Sequence, residues 1–165
     1  MSAPIRPVDL AKAYRLLNHG PTVLVSARHQ AVDNVMAAAW CCALDFDPPK
    51  LTLVLDKATR TRALIEGSGL FAIQVPTVAQ LQLTQAVGNA SLADDPAKLV
   101  HAGVELFTME SHDLPLVAGC SAWAVWMFLP AGPHAKRELT NKMATPGAGA
   151  LPDPDEEGDC QTSTG

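Results

Sequence analysis

The stretch that most limits what this chain can fold into runs from Asn34 to Pro76. It reads NVMAAAWCCALDFDPPK and continues LTLVLDKATRTRALIEGSGLFAIQVP. Asp45, Asp47, Pro48 and Pro49 form a turn, because paired prolines cannot sit inside a central strand. Leu51–Asp56 is almost wholly apolar, as a buried strand is. Thr59 to Gly67 has the signals of a short helix, with Thr59 or Thr61 as N-cap and Gly67 at the C-terminal cap. Leu70–Val75 is another strand, stopped by Pro76. The order is therefore strand, tight turn, strand, short helix, strand.

The rest of the chain extends this pattern. Leu10, Ala13, Tyr14 and Leu17 share one helical stripe, opened by Pro7 and closed by Gly20. Pro21–Arg28 is a strand, and after a turn near Gln30–Asp33 a second strand runs through AVDNVMAAAWCCAL. Thr77–Val87 is helical with Thr77 as cap, and Pro96–His101 makes a brief helical turn. Val104–Met109 alternates like an edge strand, and Val117–Leu129 is one long apolar strand. Strands outnumber helices, which favours a β-barrel with a few short helices over a doubly wound parallel sheet. Residues 1–129 form the one expected domain. From Pro130 the composition turns to Pro, Gly, Ala and acids, so 130–165 is expected to be an irregular, disordered acidic tail.

Bulk properties exclude some functions. The 165 residues carry a net charge of −5, which argues against a nucleic-acid partner. No window approaches a membrane-spanning apolar run, and the first residues lack a signal-peptide core, so a cytoplasmic protein is expected. Only 18% of residues are charged and 48% are hydrophobic, which suggests apolar surface covered by a second subunit. Cys41, Cys42, Cys120 and Cys160 show no zinc spacing and are expected to be reduced thiols. His19, His29, His101, His112 and His134 show no metal-ligand spacing either, so no metal is expected.

Two places in the chain suit a ligand. Ala37, Ala38, Ala39, Trp40 and Cys41 form a strand of little bulk, where a planar ring can approach the backbone and Trp40 can wall it. Close packing of a strand against a helix explains the same residues. Asn34 fits a turn or a polar ligand contact. Lys57, Thr59, Arg60, Thr61 and Arg62 open the short helix, where unpaired N–H groups and cationic side chains suit a phosphate. An ordinary capped helix with a basic face explains these as well. A flat ring beside a phosphate describes flavin mononucleotide (FMN).

Together, NVMAAAWCCALDFDPPK, LDKATRTRALIEGSGLFAIQVP and LPLVAGCSAW (Leu114–Trp123) resemble the flavin reductase-like family, the FMN-binding split barrels. The resemblance covers about Pro21 to Trp123. It implies a six-stranded split β-barrel that forms a homodimer and binds FMN near the subunit interface. By position, Asn34, Met36, Ala37, Ala38, Ala39, Trp40 and Cys41 would line the ring. Asp56, Lys57, Thr59 and Thr61 would hold the ribityl phosphate, and Gly88 and Asn89 would close over the flavin. The family often has hydroxyl side chains where Ala37 and Ala39 stand; two lost hydrogen bonds of about 1 kcal/mol each would weaken FMN roughly tenfold or more. Past Trp123 only a Pro-x-x-His echo at Pro130–His134 remains, which leaves open a barrel without its C-terminal strand. His134 is the candidate for the nicotinamide side.

The implied activity is an FMN-dependent flavin reductase that uses NADH or NADPH. Its acceptor would be free flavin, a flavin-dependent monooxygenase or a ferric complex. No side-chain catalyst is assigned, because the cofactor carries the chemistry. Two other readings stay open: a flavin-binding electron carrier without nicotinamide turnover, and a degenerate barrel that only dimerises.

Overall fold

The computed structural model describes Pro7, residues 9–17 and 20–129, and the backbone of Leu139–Met143. The chain is mainly β. Its strands are β1 (Val23–His29), β2 (Val32–Ala38), β3 (Cys41–Phe46), β4 (Pro49–Leu53), β5 (Leu70–Val75), β6 (Leu106–Met109), β7 (His112–Val117), β8 (Ala122–Leu129) and β9 (Leu139–Met143). The helices are α1 (Arg60–Ser68), α2 (Leu81–Asn89) and α3 (Lys98–His101). The stripe at the start of the chain folds as a 3-10 helix, Leu10–Leu16, whose first turn is capped by the Asp9 carboxylate accepting from the Ala11 N–H at 3.2 Å.

Seven antiparallel strands pair in the order β2-β1-β5-β8-β9-β4-β3, and β6 and β7 form a separate pair. This is nine strands among the described residues, where six were expected. β2 and β3 stand at opposite ends of the order, yet only Ala39 and Trp40 separate them. Three peptide steps span at most about 11 Å, whereas seven strands laid flat would put the end strands about 29 Å apart. The sheet must therefore curl until its ends approach each other at Ala39–Trp40.

The structure differs from the sequence reading at several boundaries. The expected strand across residues 31–44 is two strands, broken at Ala39–Trp40 where the chain passes from one end of the sheet to the other. The expected strand Val117–Leu129 is also divided. β7 ends at Val117, Gly119 turns the chain at φ 82°, and β8 starts at Ala122. β4 begins at Pro49, the first strand residue, where a missing N–H is tolerated, and it ends at Leu53. α1 carries its C-cap two residues later than expected: Gly67 is helical and Gly69, at φ 73°, is the cap. β9 falls inside the segment expected to be an irregular tail; 130–138, with His134, and 144–165 lie outside the described residues.

β1 explains why its sequence is almost uniformly apolar. Val23, Val25 and Ala27 point into the main core with Leu51, Leu53, Ile65, Phe71 and Ile73. Leu24 points the other way, toward Val35, Val87, Val117 and Cys120 beneath α2. The alternation of a strand thus serves two cores. A third cluster, Ala72, Leu114, Leu116 and Val125, seats β7 on the sheet.

Polar groups fasten β7 in the same place. Gln74 is fully buried; its Nε2 donates to Ser26 Oγ at 2.9 Å and its Oε1 accepts from the Val117 N–H. Ser26 Oγ in turn donates to the Pro115 carbonyl. One side chain from β5 and one from β1 therefore satisfy two backbone groups of β7, a strand whose only ladder among the described residues is with β6. Gln74→Met keeps the volume but leaves the Val117 N–H buried without an acceptor. It should lower stability by about 2 kcal/mol in urea unfolding, and an unchanged midpoint would refute this fastening.

Burial also sorts the thiols. Cys41 and Cys120 are buried, and desolvation pushes both up to about 11 from an ordinary 9.0. Cys42 is exposed. Because the folded pKa values are raised, these two protonated thiols favour the fold below about pH 9, and that contribution is lost as pH climbs to about 11. Peptide mapping after maleimide treatment at neutral pH should find Cys42 labelled first, with Cys41 and Cys120 protected until the protein unfolds. Equal labelling of all three would contradict the burial.

Candidate functional site

Two segments far apart in sequence pack against β2 from opposite faces, α1 on the side of Asn34 and α2 on the side of Ala37. β2 itself leads into the Ala39–Trp40 corner. Asn34, Val35 and Ala38 are buried, Met36 and Ala37 are half-buried, and Ala39 and Trp40 are exposed. Past Asn34, the accessible part of this strand is therefore backbone with small side chains, ending in an open indole. Cys41 resumes as the buried first residue of β3.

The first segment runs from Val54 into α1. It is tied to β2 and its corner at two points. The Val54 N–H donates to the Trp40 carbonyl at 2.9 Å, and Asn34 Nδ2 donates to Thr61 Oγ1 at 2.8 Å. β2 and the cationic start of α1 are thus direct neighbours. Both Asn34 and Thr61 lie inside the protein, so this bond joins β2 to α1 and keeps the Thr61 hydroxyl away from the surface. Asn34 Oδ1 is buried with no hydrogen-bond partner among the described residues.

The loop before α1 is shaped by Asp56. Its carboxylate accepts from the Ala58 N–H at 2.7 Å, and its carbonyl accepts from the Thr59 N–H at 3.1 Å and from Thr59 Oγ1 at 2.8 Å. Asp56 and Thr59 therefore build the turn. Thr59 stands at the N-cap position without capping through its side chain. Lys57 and Arg60 are exposed beside it, whereas Arg62 is drawn along α1 by Glu66, with its Nε 2.9 Å from Glu66 Oε1. The first-turn N–H groups of α1 have no intrahelical acceptor, as at any helix start. Positive charge and backbone donors coincide here.

The second segment is the end of α2. A Cβ placed on Gly88 would lie 3.1 Å from Ala37 Cβ, so α2 touches β2 where both residues are small. Asn89, beside it, is exposed. Two side chains pin the helix. At its start Gln80 Oε1 accepts from the Thr77 N–H at 3.0 Å, and Gln80 Nε2 donates to the Ala118 carbonyl at 2.8 Å. At its end the Lys98 ammonium donates to the Val87 carbonyl at 3.2 Å and the Ala90 carbonyl at 2.9 Å. Lys98 is buried, and desolvation lowers its pKa, with Asp95 partly countering that. No residue pattern announces this role, since nothing local separates a buried lysine from a surface one.

The structure thus sets Asn34 against Thr61, Trp40 against Val54 and, on the other face of β2, Ala37 against Gly88, with Met36, Ala38, Ala39 and Cys41 along the same stretch and Asp56, Lys57, Thr59 and Asn89 beside those contacts in sequence. His134 lies outside the described residues. A separate apolar cleft, lined by Leu16, Leu17, Ile73, Val75, Ala122 and Trp126, lies under the 3-10 helix and shares none of these residues. Among the described residues no helix is long and apolar enough to cross a membrane.

Comparison with known proteins agrees with this architecture. Residues 15–125 match the family described as flavin reductase like domain. The uncharacterized protein YddH of Escherichia coli (strain K12) is 43% identical over 128 residues, covering 76% of this chain and 67% of that protein. An uncharacterized protein of Aeropyrum pernix is 30% identical over 118 residues, covering 72% of this chain but only 45% of its own length. An FMN-binding domain of a flavin reductases-like enzyme from Shewanella baltica superposes with a TM-score of 0.79 at 66% identity, covering 82% of this chain and 72% of that one. Flavoredoxin of Desulfovibrio vulgaris (Miyazaki F) shares the fold, with a TM-score of 0.67 at 24% identity over 76% of this chain and 68% of that one. The match spans two thirds of the chain, with β2, the α1 start and the α2 end all inside it: this chain belongs to the flavin reductase-like family.

Proposed function

We propose that this chain binds FMN and, as a homodimer, catalyses reduction of flavin by NADH or NADPH. The observation that carries the proposal is the junction of the end of β2 with the α1 start, made by the Asn34–Thr61 bond and the Val54–Trp40 bond, with α2 reaching the same strand from its other face at Gly88. The similar Shewanella baltica domain, described as FMN-binding, supports the cofactor.

The residues fit such a group. The small side chains at Ala37 and Ala39 let a planar ring reach backbone N–H and C=O groups, and Trp40 offers an aromatic wall. Lys57, Arg60 and the first N–H groups of α1 suit a phosphate. Asp56, an anion already engaged by the Ala58 N–H, shapes the turn and does not take part in holding a phosphate. When bound, FMN supplies the hydride-accepting chemistry. The chain's work is to fix the ring, leave one ring face open to the nicotinamide and shield both from water. Backbone donors along β2 would favour negative charge on the ring edge they face.

Surface chemistry supports the dimer in this reading. Trp40, Leu44 and Val54 are 73%, 55% and 48% exposed, clustered in sequence around β3 and the end of β4. β3 ends the strand order, and an open edge with apolar side chains calls for a cover, here a second copy. Closure of the curled sheet into a split barrel belongs to the same reading. The final acceptor, a free flavin, a ferric complex or a partner monooxygenase, is chosen by surfaces outside this pocket.

Two measurements test the proposal. Purified protein mixed with FMN should retain flavin absorbance through gel filtration and should consume NADH or NADPH faster than FMN alone. Retained FMN without nicotinamide loss would assign an electron carrier instead, and no retained FMN would leave only the dimerising barrel. The variant Lys57→Ala with Thr59→Ala removes a charged donor and loosens the turn. It should weaken FMN roughly tenfold to a hundredfold while leaving riboflavin within about twofold, since only FMN carries a phosphate. Equal losses for both ligands would remove the phosphate assignment.

A further inference from the structure

We infer that Lys98 is a positioning residue for the flavin ring: its buried ammonium locks the end of α2 so that Gly88 and Asn89 stand against the Ala37 strand. This rests on the FMN-binding reading above and adds a residue and a mechanism to it.

The argument starts from cost. A lysine with 2% of its surface exposed gives up the hydration of its charge, which is expensive unless the interior replaces it. The replacement is specific. Lys98 Nζ donates to the Val87 and Ala90 carbonyls, two acceptors that a helix leaves unpaired at its C-terminus. The cation also faces the negative end of the α2 dipole. Asp95 holds the approach: its carboxylate accepts from the Ala97 N–H at 3.0 Å, just before α3, and lies 2.8 Å from His101 Nδ1. The segment from Ser91 to Gly103 thus folds back and delivers one cation beneath the last turn of α2.

The location gives the cation its consequence. Val87 and Ala90 flank Gly88 and Asn89, and Gly88 is where α2 meets Ala37. Val87 itself is buried beside Leu24 and Val35. Any shift of the α2 end therefore changes the gap between Gly88–Asn89 and the ring strand. It does not touch the Lys57–Arg60 turn, which belongs to another segment. Lys98 should accordingly govern the ring and not the phosphate, and this separates its effect from that of Lys57.

The test compares Lys98→Met and Gly88→Ala with the unaltered protein, using FMN and riboflavin as probes. Gly88→Ala leaves Lys98 in place but inserts a methyl group into the α2–β2 contact, 3.1 Å from Ala37 Cβ, with a residue that favours helix. Both variants should weaken FMN and riboflavin by the same factor, roughly tenfold, the loss that one or two misplaced hydrogen bonds carry. Amide exchange without flavin should accelerate at Gly88, Asn89 and Ala90 in Lys98→Met. A Lys98→Met protein that loses thermal stability but binds both flavins normally makes Lys98 merely structural and overturns the inference, as does a loss confined to FMN. If Lys98→Met does not fold, Lys98→Gln, which keeps an amide donor toward the same carbonyls, is read by the same ratio. An unaltered protein that binds neither flavin defeats the functional reading and this role with it. One that binds both, beside a variant that binds them equally well, defeats the role alone.

Discussion

A two-residue corner governs this fold. β2 and β3 close opposite ends of a seven-stranded order, and Ala39 and Trp40 are all that connects them. So short a link cannot cross a flat sheet, so the sheet bends, and bending creates an inside that Val25, Leu51, Ile65 and Phe71 fill. The same corner leaves the ladder on both sides and exposes its own backbone. A strand inside a ladder has its N–H and C=O groups paired and can offer few of them to a ligand. Regular pairing stops at this corner, and the Val54 N–H to Trp40 carbonyl bond keeps the interruption from fraying.

Most of the elements could be read from residue pattern alone, and the misses share a cause. β1, β5, α1 and the β3–β4 turn follow from apolar runs, prolines and a glycine cap, all local signals. The break at Ala39–Trp40 has no such signal. Neither residue is a turn former, and the interruption is imposed by the curvature of the whole sheet. The β1–β2 turn, expected near Gln30–Asp33, stands at Gln30–Ala31, although both residues take positive φ, at 50° and 60°, without the glycine or asparagine that usually announces such a turn. Tertiary pairing overrides local preference in each case. β7 was missed because Pro115 lies within it. It persists because its place is secured by Ser26, Gln74 and the Leu114–Leu116 contacts rather than by two flanking ladders.

The proposed site was legible to the same degree and for the same reasons. Small residues, an aromatic and a cationic helix start are visible as residue types, and the fold brings them together. What each side chain does was not visible. Thr59 and Thr61 look alike in the sequence, but one hydroxyl is engaged by the Asp56 carbonyl and the other accepts from Asn34 in the interior. Lys57 and Lys98 look alike as well. The first is exposed, where a charge keeps its water until an anion arrives; the second has exchanged its water for two carbonyls.

That contrast shows how a pocket can be both adaptable and placed. At the exposed end, a solvated ammonium and unpaired helix N–H groups cost little to keep waiting, and their attraction for an anion is worth most once the anion displaces the water between them. At the buried end, a desolvated cation is costly to hold, and it persists only because α2 terminates on it. A group held so firmly does not suit capture of a ligand; it suits holding a wall. With Ala37 and Ala39 offering no hydroxyl donors, ring contacts would have to come from backbone groups, whose positions are set by the curl of the sheet and by the distance at which α2 stands. The fit of a ring in this family member would then depend less on which side chains touch it than on how rigidly Gly88 is kept one methyl's width from Ala37.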